Sequence, residues 1–213
     1  MSMLFDTLKQ YLLTPVCIRC GSYFSQDSLF CDVCFHLEIE PKLFTSSASH
    51  LGNSRHKYLI DWCKNESRAL DQMVYRMKSD NSRAAWRFYS RLILEVIDIN
   101  LKNFDGVVPI PGSSRASVHS ALFADALSSA LALPVFDLVT KNRDSVAQKH
   151  GSFFDRKVQN FEARQPSQTE LFTKLIFVDD VLTTGESFLQ SNRAVNGHKE
   201  NIILTLFYRP KAR

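Results

Sequence analysis

Apolar residues recur at helical spacing in two central stretches of the chain: Leu70, Met73, Val74 and Met77 in the first, and Trp86, Tyr89, Ile93 and Ile97 in the second. They predict two amphipathic helices, with Asp80 or Asn81 capping the second. Ahead of them, residues 56–63 form a candidate strand. Residues 41–56, rich in Ser, His and Asn with Pro41 and Gly52, suit a connecting loop. Residues 2–13 predict a short amphipathic helix carrying Leu4, Phe5, Leu8, Tyr11, Leu12 and Leu13. From Gly106 onward short apolar runs alternate with helical stretches: strand 107–110, helix 118–131 and strand 134–139, then, after a polar segment, strand 174–178, helix 187–195 stopped at Gly197, and strand 201–207. That alternation predicts an α/β fold with a parallel sheet flanked by helices. The polar segment between Thr140 and Glu170, at roughly 30 residues, is longer than an inert connection needs, so it is expected to be functional or mobile. No internal repeat is visible.

A chain of 213 residues with 45% hydrophobic and 23% charged content suits one α/β core of ordinary size plus a small appendage. Its longest apolar stretch, residues 92–99, is broken by Glu95 and Asp98 and falls far short of the roughly 20 residues that a membrane helix needs, so no membrane insertion is expected. The N-terminus mixes Asp6 and Lys9 into its apolar residues and lacks a basic lead-in and a small-residue cleavage site, which points to the cytoplasm. The net charge of +4 permits anionic partners without singling out any.

Four of the five cysteines fall in two pairs, Cys17-x-x-Cys20 and Cys31-x-x-Cys34. Two such pairs, with Gly21 after the first favouring a tight turn, match a closed tetrahedral zinc site whose role is structural, because four thiolates leave no open position. Two disulfides or incidental core cysteines are the alternative; a reducing compartment favours metal over disulfide. Cys63, within an apolar run, is expected in the core.

The segment with the densest chemistry is Leu175-Ile176-Phe177-Val178-Asp179-Asp180-Val181-Leu182-Thr183-Thr184-Gly185-Glu186-Ser187. A phosphate needs donors. Thr183, Thr184 and Ser187 supply hydroxyls, Gly185 lets the backbone turn tightly, and the N-terminus of the following helix offers unpaired N–H groups and a positive dipole end. A ribose diol needs acceptors, and Asp179 and Asp180 are acceptors suited to the 2′- and 3′-hydroxyls. The stretch Asp179–Ser187, with Val181, Leu182 and Glu186 between the polar positions, is therefore a candidate ribose-phosphate loop in which Asp179 and Asp180 are the candidate catalytic pair. A solvated turn and the metal-binding acidic pair of a flavodoxin-like receiver domain compete for the two acids alone; the Thr-Thr-Gly turn and the helix behind it favour the ribose phosphate.

With these residues in view, the sequence resembles the type I phosphoribosyltransferases and, within them, the ComF family of competence-associated proteins. The similarity spans nearly the whole chain: the four-cysteine module, a helical stretch Met73-Val74-Tyr75-Arg76-Met77-Lys78, the Val108-Pro109-Ile110-Pro111 segment and the Asp-Asp-x-x-Thr-Thr-Gly loop follow in the family's order. The resemblance implies a Rossmann-like, type I phosphoribosyltransferase-like domain over residues 56–213 and a helix with a zinc module over residues 1–40. It also implies a site for phosphoribosyl pyrophosphate with Mg²⁺. The leaving pyrophosphate would be held by Gly112, Ser113, Ser114 and Arg115 after the first core strand, and by Lys141, Arg143, Gln148 and Arg156 from the long polar segment. The oxocarbenium-like transition state of such a transfer needs orientation and neutralised leaving charge rather than a nucleophilic side chain, and no catalytic triad is visible. The Asn-Gln pair that the family carries after the proline segment is absent, and Glu186 and Ser187 stand where the family tends to have Ala and Thr. The resemblance thus implies ribose-phosphate binding in natural transformation and leaves open whether the chain is a phosphoribosyltransferase of unknown acceptor. It equally allows an inactive factor that binds single-stranded DNA or docks a helicase or processing protein of the uptake machinery; Tyr23, Phe24, Phe153 and Phe154 are aromatic candidates for stacking on bases.

Overall fold

The computed structural model describes residues 16–23, 27–43, 49–51, 54–79, 82–112, 118–142, 160–164, 166–195 and 200–209. The expected N-terminal helix at 2–13 and the Gly197 stop lie outside these residues. Among the described residues there are seven strands, β1 (Ser49–Leu51), β2 (Ser54–Asp61), β3 (Gly106–Pro109), β4 (Val139–Asn142), β5 (Asn160–Ala163), β6 (Leu175–Leu182) and β7 (Ile202–Tyr208), and four long helices, α1 (Arg68–Ser79), α2 (Arg83–Val96), α3 (His119–Leu131) and α4 (Glu186–Ala194).

The main sheet has the order β1-β2-β7-β6-β3. All its neighbouring pairs are parallel except β1 with β2, which form an antiparallel hairpin. Parallel strands require crossovers, and helices fill them on both faces. Alternation along β6 divides the interior. Ile176 and Val178 join α1, α2 and α3 on one face, while Leu175 and Phe177 join Phe188 of α4 on the other. A strand buried on both sides reads as a continuous apolar run, which is why Leu175–Val178 stood out in the sequence.

Both amphipathic helices form where their spacing predicts, but the cap of α2 is Ser82, whose hydroxyl accepts from Ala85 N at 3.4 Å, in place of Asp80 or Asn81. The strand expected at 134–139 shrinks to a single parallel bridge between Val107 and Val135, and the chain then leaves the sheet to form β4. The connecting loop expected at 41–56 holds β1, and the polar segment 140–170 is bounded by an antiparallel β4–β5 hairpin and a helical turn at Pro166–Thr169. Among the described residues no helix is long and apolar enough to cross a membrane.

The cysteine segment packs on α2. The Tyr89 hydroxyl donates to Ser28 O at 2.7 Å, Phe35 meets Phe88 edge-on at 5.6 Å, and Phe30 and Ile39 enter the same core as Trp86 and Ile93.

A buried polar row crosses the opposite face. Tyr58 of β2, Thr205 of β7 and Asp179 of β6 are register partners, and His56 Nε2 lies 2.9 Å from Thr205 Oγ1 with its ring stacked on Tyr58. Burial lowers the His56 imidazole to about 4. The unfolded chain therefore takes up a proton near the ordinary pKa of about 6.5 that the folded chain refuses until near pH 4, so stability falls as pH drops through that window. We expect this one residue to remove about 3 kcal/mol of unfolding free energy between pH 7 and pH 4. Denaturant titrations of the wild type and His56→Gln check it: the variant should show a pH slope shallower by that amount, and parallel slopes would contradict the assignment.

Candidate functional site

Because β2, β7, β6 and β3 run in one direction, their carboxyl ends share one edge of the sheet, the usual place for a ligand in an open α/β fold. Strand β6 continues through Leu182, so Asp179 and Asp180 stand within the end of the strand, four residues further along than the expected boundary at Val178. Both are half-buried. Asp180 N donates to Asp179 Oδ1 at 2.9 Å, and Val181 N donates to Asp180 Oδ1 at 2.8 Å. Burial first, and the Asp180 charge second, raise the Asp179 carboxyl well above the usual carboxylate range. Asp180 is held differently: its Oδ2 lies 2.9 Å from Lys78 Nζ at the end of α1.

Beyond the strand the chain turns through Thr183 and Thr184, both exposed, to Gly185, which adopts φ +76° and starts α4. Two constraints select glycine here. The left-handed backbone strains other residues, and a β-carbon would stand 2.7 Å from Leu51 Cδ2 of the β1–β2 hairpin. No side chain caps α4 from the Gly185 position; the Thr184 hydroxyl accepts from Glu186 N at 3.4 Å. Glu186 is exposed and accepts from Gln190 Nε2 at 2.6 Å, while Ser187 is half-buried. A carboxylate in the first turn is also what a helix dipole favours, and Glu186 occupies the end where an anionic ligand would bind.

Gly112 follows the end of β3, where Ile110 N donates to Val178 O of β6 at 3.0 Å. Ser113, Ser114 and Arg115 fall outside the described residues. Lys141 is in β4, its ammonium 5.6 Å over the Phe161 ring of β5, on the hairpin that packs against α4. Arg143, Gln148 and Arg156, which follow β4 and precede β5 in sequence, are outside the described residues, and so are Phe24, Phe153 and Phe154. Tyr23 is exposed. Two contacts escaped the sequence reading. Lys78 closed the helical stretch singled out above, yet nothing in one dimension pairs it with an acid 102 positions away. Leu51 falls in a stretch whose composition suits a loop, yet it ends β1 and meets Gly185.

The four cysteines converge, their sulfurs all within 4.8 Å of one another and those of Cys20 and Cys31 3.7 Å apart. A tetrahedral zinc–thiolate centre sets its sulfurs about 3.8 Å apart, given bonds of about 2.3 Å. The first pair sits on a tight turn in which Gly21, at φ +74°, donates its N–H to Cys17 O at 2.9 Å; the second opens the helical turn Asp32–Cys34. Burial opposes a charged Cys17, but the backbone N–H groups of Cys31, Cys20 and Arg19 outweigh it and bring the thiol down to about 6. Cys34 is pushed well up by burial and by the neighbouring sulfurs. A divalent cation replaces that mutual repulsion with attraction, so the four residues fit a metal ion such as zinc. Cys63 is half-buried in the turn after β2 and does not belong to the cluster, so the expectation of a core cysteine is corrected to a boundary position.

No protein-family model matches the chain, and neither does any curated protein. Among solved structures, the crystal structure of orotate phosphoribosyltransferase from Aeropyrum pernix is similar to it at 16% sequence identity and a TM-score of 0.36, over 77% of this chain and 75% of that one.

Metal analysis after purification under reducing conditions is expected to find about one tetrahedral metal ion per chain. Cys17→Ser or Cys34→Ser should abolish it and Cys63→Ser should not; metal-free protein of unchanged stability would contradict the site. Separately, Gly185→Ala should lower stability by about 1–2 kcal/mol from the backbone alone, measured by denaturant unfolding against Gly21→Ala, which has the same sign of φ but no atom within 4 Å of the added carbon.

Proposed function

We propose that the carboxyl edge of the sheet binds a phosphorylated ribose, with phosphoribosyl pyrophosphate as the full ligand. The observation that carries this is the succession of an acid pair at the end of buried β6, a hydroxyl-rich turn, and left-handed Gly185 opening α4. It sets acceptors for a diol and donors for a 5′-phosphate on consecutive residues. Asp179 and Asp180 would take the ribose hydroxyls, and Thr183, Thr184, Ser187 and the first N–H groups of α4 the phosphate. Gly112, with Ser113, Ser114 and Arg115 after it, would face the pyrophosphate from β3, and Lys141 with Arg143, Gln148 and Arg156 would do so from the β4–β5 segment. Mg²⁺ travels with such a ligand and neutralises part of its pyrophosphate charge; it needs no all-protein cage. Binding in this pose would leave the anomeric carbon and its departing pyrophosphate oriented for phosphoribosyl transfer to an acceptor, with the protein supplying position and charge.

The motif order shared with the ComF family supports extending this to natural transformation, with zinc in the cysteine module. A second reading, attachment of single-stranded DNA, is favoured by one observation. Arg83, Arg87 and Arg91 are exposed at successive i+4 positions of α2, about 6 Å apart along the axis. None of them forms an ion pair among the described residues. Backbone phosphates fit such a row, and binding there would weaken steeply with salt.

Calorimetry with phosphoribosyl pyrophosphate and Mg²⁺ tests the first reading. Asp180→Asn removes acceptor capacity and Thr184→Val removes a hydroxyl, and each should weaken binding about ten- to a hundredfold, the cost of one hydrogen bond to a charged group. Ribose 5-phosphate should compete better than free pyrophosphate. Variants that bind like the wild type, or a wild type that binds nothing, would overturn the proposal.

A further inference from the structure

Asp179 and Asp180 are adjacent in sequence, yet their surroundings differ. Asp179 shares a sheet row with the Thr205 hydroxyl and Tyr58, next to His56 and Tyr208, and takes a backbone N–H on Oδ1. His56 is kept neutral by burial. Asp180 faces α1, where Lys78 Nζ lies 2.9 Å from its Oδ2; the Asp180 side chain is 13% exposed and that of Lys78 41%. Across the turn stands Glu186, whose carboxylate is bonded to Gln190. Lys78 is thus the cation paired with the acid pair among the described residues.

Two carboxyls this close resist double ionisation, and a cation held against one of them decides which keeps the negative charge. We propose that Lys78 is a positioning residue of the ribose-phosphate site: by pairing with Asp180 it makes the two carboxyls unlike, fixing Asp180 as the ionised acceptor for one ribose hydroxyl and leaving Asp179 to carry the proton of the pair. A protonated carboxyl both donates and accepts, so the unlike pair can bond both hydroxyls of a diol without bringing two negative charges under the ligand. The raised Asp179 carboxyl agrees with this division. The ligand half of the inference rests on the ribose-phosphate assignment above; the electrostatic half rests on the ion pair alone.

The test compares wild type, Lys78→Met, Lys78→Arg, Asp180→Asn and the Lys78→Met/Asp180→Asn double variant, with circular dichroism confirming the fold of each. Carbon-13 carboxyl titration of the ligand-free proteins is the first measurement. Loss of the cation should move the titration of the pair up by about one pH unit in Lys78→Met, and Lys78→Arg should restore it. Calorimetry with ribose 5-phosphate from pH 5 to pH 8 is the second. A raised carboxyl is neutralised earlier as pH falls, so the affinity deficit of Lys78→Met should grow towards the acid end of the range, up to about tenfold once the pH lies below both titrations, and vanish towards pH 8. Adding Lys78→Met to Asp180→Asn should change little more. An unmoved carboxyl titration in Lys78→Met overturns the inference, and so does an affinity loss equal at every pH. Failure of the wild type to bind ribose 5-phosphate at any pH defeats the ribose-phosphate assignment instead, while the ligand-free titration still decides whether Lys78 sets the charge of the pair.

Discussion

The shared direction of β2, β7, β6 and β3 is the constraint from which the rest of the architecture follows. Parallel strands cannot be joined by tight turns, so each crossover travels over a face and returns at the opposite edge. The carboxyl ends of all four therefore collect Trp62, Gly112, Asp179–Ser187 and Arg209 along one rim. The rim is internally tied: Trp62 N donates to Tyr208 O and Arg209 N to Leu182 O, both at 2.8 Å, and the Arg209 guanidinium lies 5.5 Å from the Trp62 ring centre. Helix α4 leaves the same rim, so its positive end and the acid pair arrive together as a consequence of topology.

Placing acids at the end of a strand buried on both faces has an electrostatic consequence. A carboxylate on an open loop keeps its charge in water, whereas Asp179 at the rim of the interior loses much of that hydration and Asp180 needs a counter-ion from α1. Helix α1 thereby supplies a cation to one of two consecutive acids, while burial acts most strongly on the other. The cysteine module is joined to this core through α2, by Tyr89 with Ser28 and Phe35 with Phe88, so a metal among its thiolates would brace the helix layer that carries Lys78.

Much of this was legible in one dimension. The 3.6-residue spacing of Met73, Val74 and Met77 and of Trp86, Tyr89 and Ile93 located both helices because those residues face one core, and the apolar run before Asp179 located β6. The two cysteine pairs announced their cluster by spacing alone. What escaped depends on partners remote in sequence. The end of β6 was misplaced because its last four positions include two aspartates, which are held in the ladder by β7, where Asp179 pairs with Thr205 and Leu182 with Tyr208. The β4–β5 hairpin was hidden because Lys141 and Glu162 carry no alternating apolar pattern. Lys78 and Leu51 were silent for the same reason: a lysine at a helix end and a leucine in a polar stretch acquire meaning only when the fold sets them against Asp180 and Gly185.

The most direct test of the central claim is a crystal structure of the protein with ribose 5-phosphate. It should show the phosphate within hydrogen-bond distance of the N–H groups at Gly185–Ser187 and the diol against Asp179 and Asp180, with the Lys78–Asp180 pair in place. A sugar phosphate bound elsewhere, or an empty rim at saturating ligand, would contradict it.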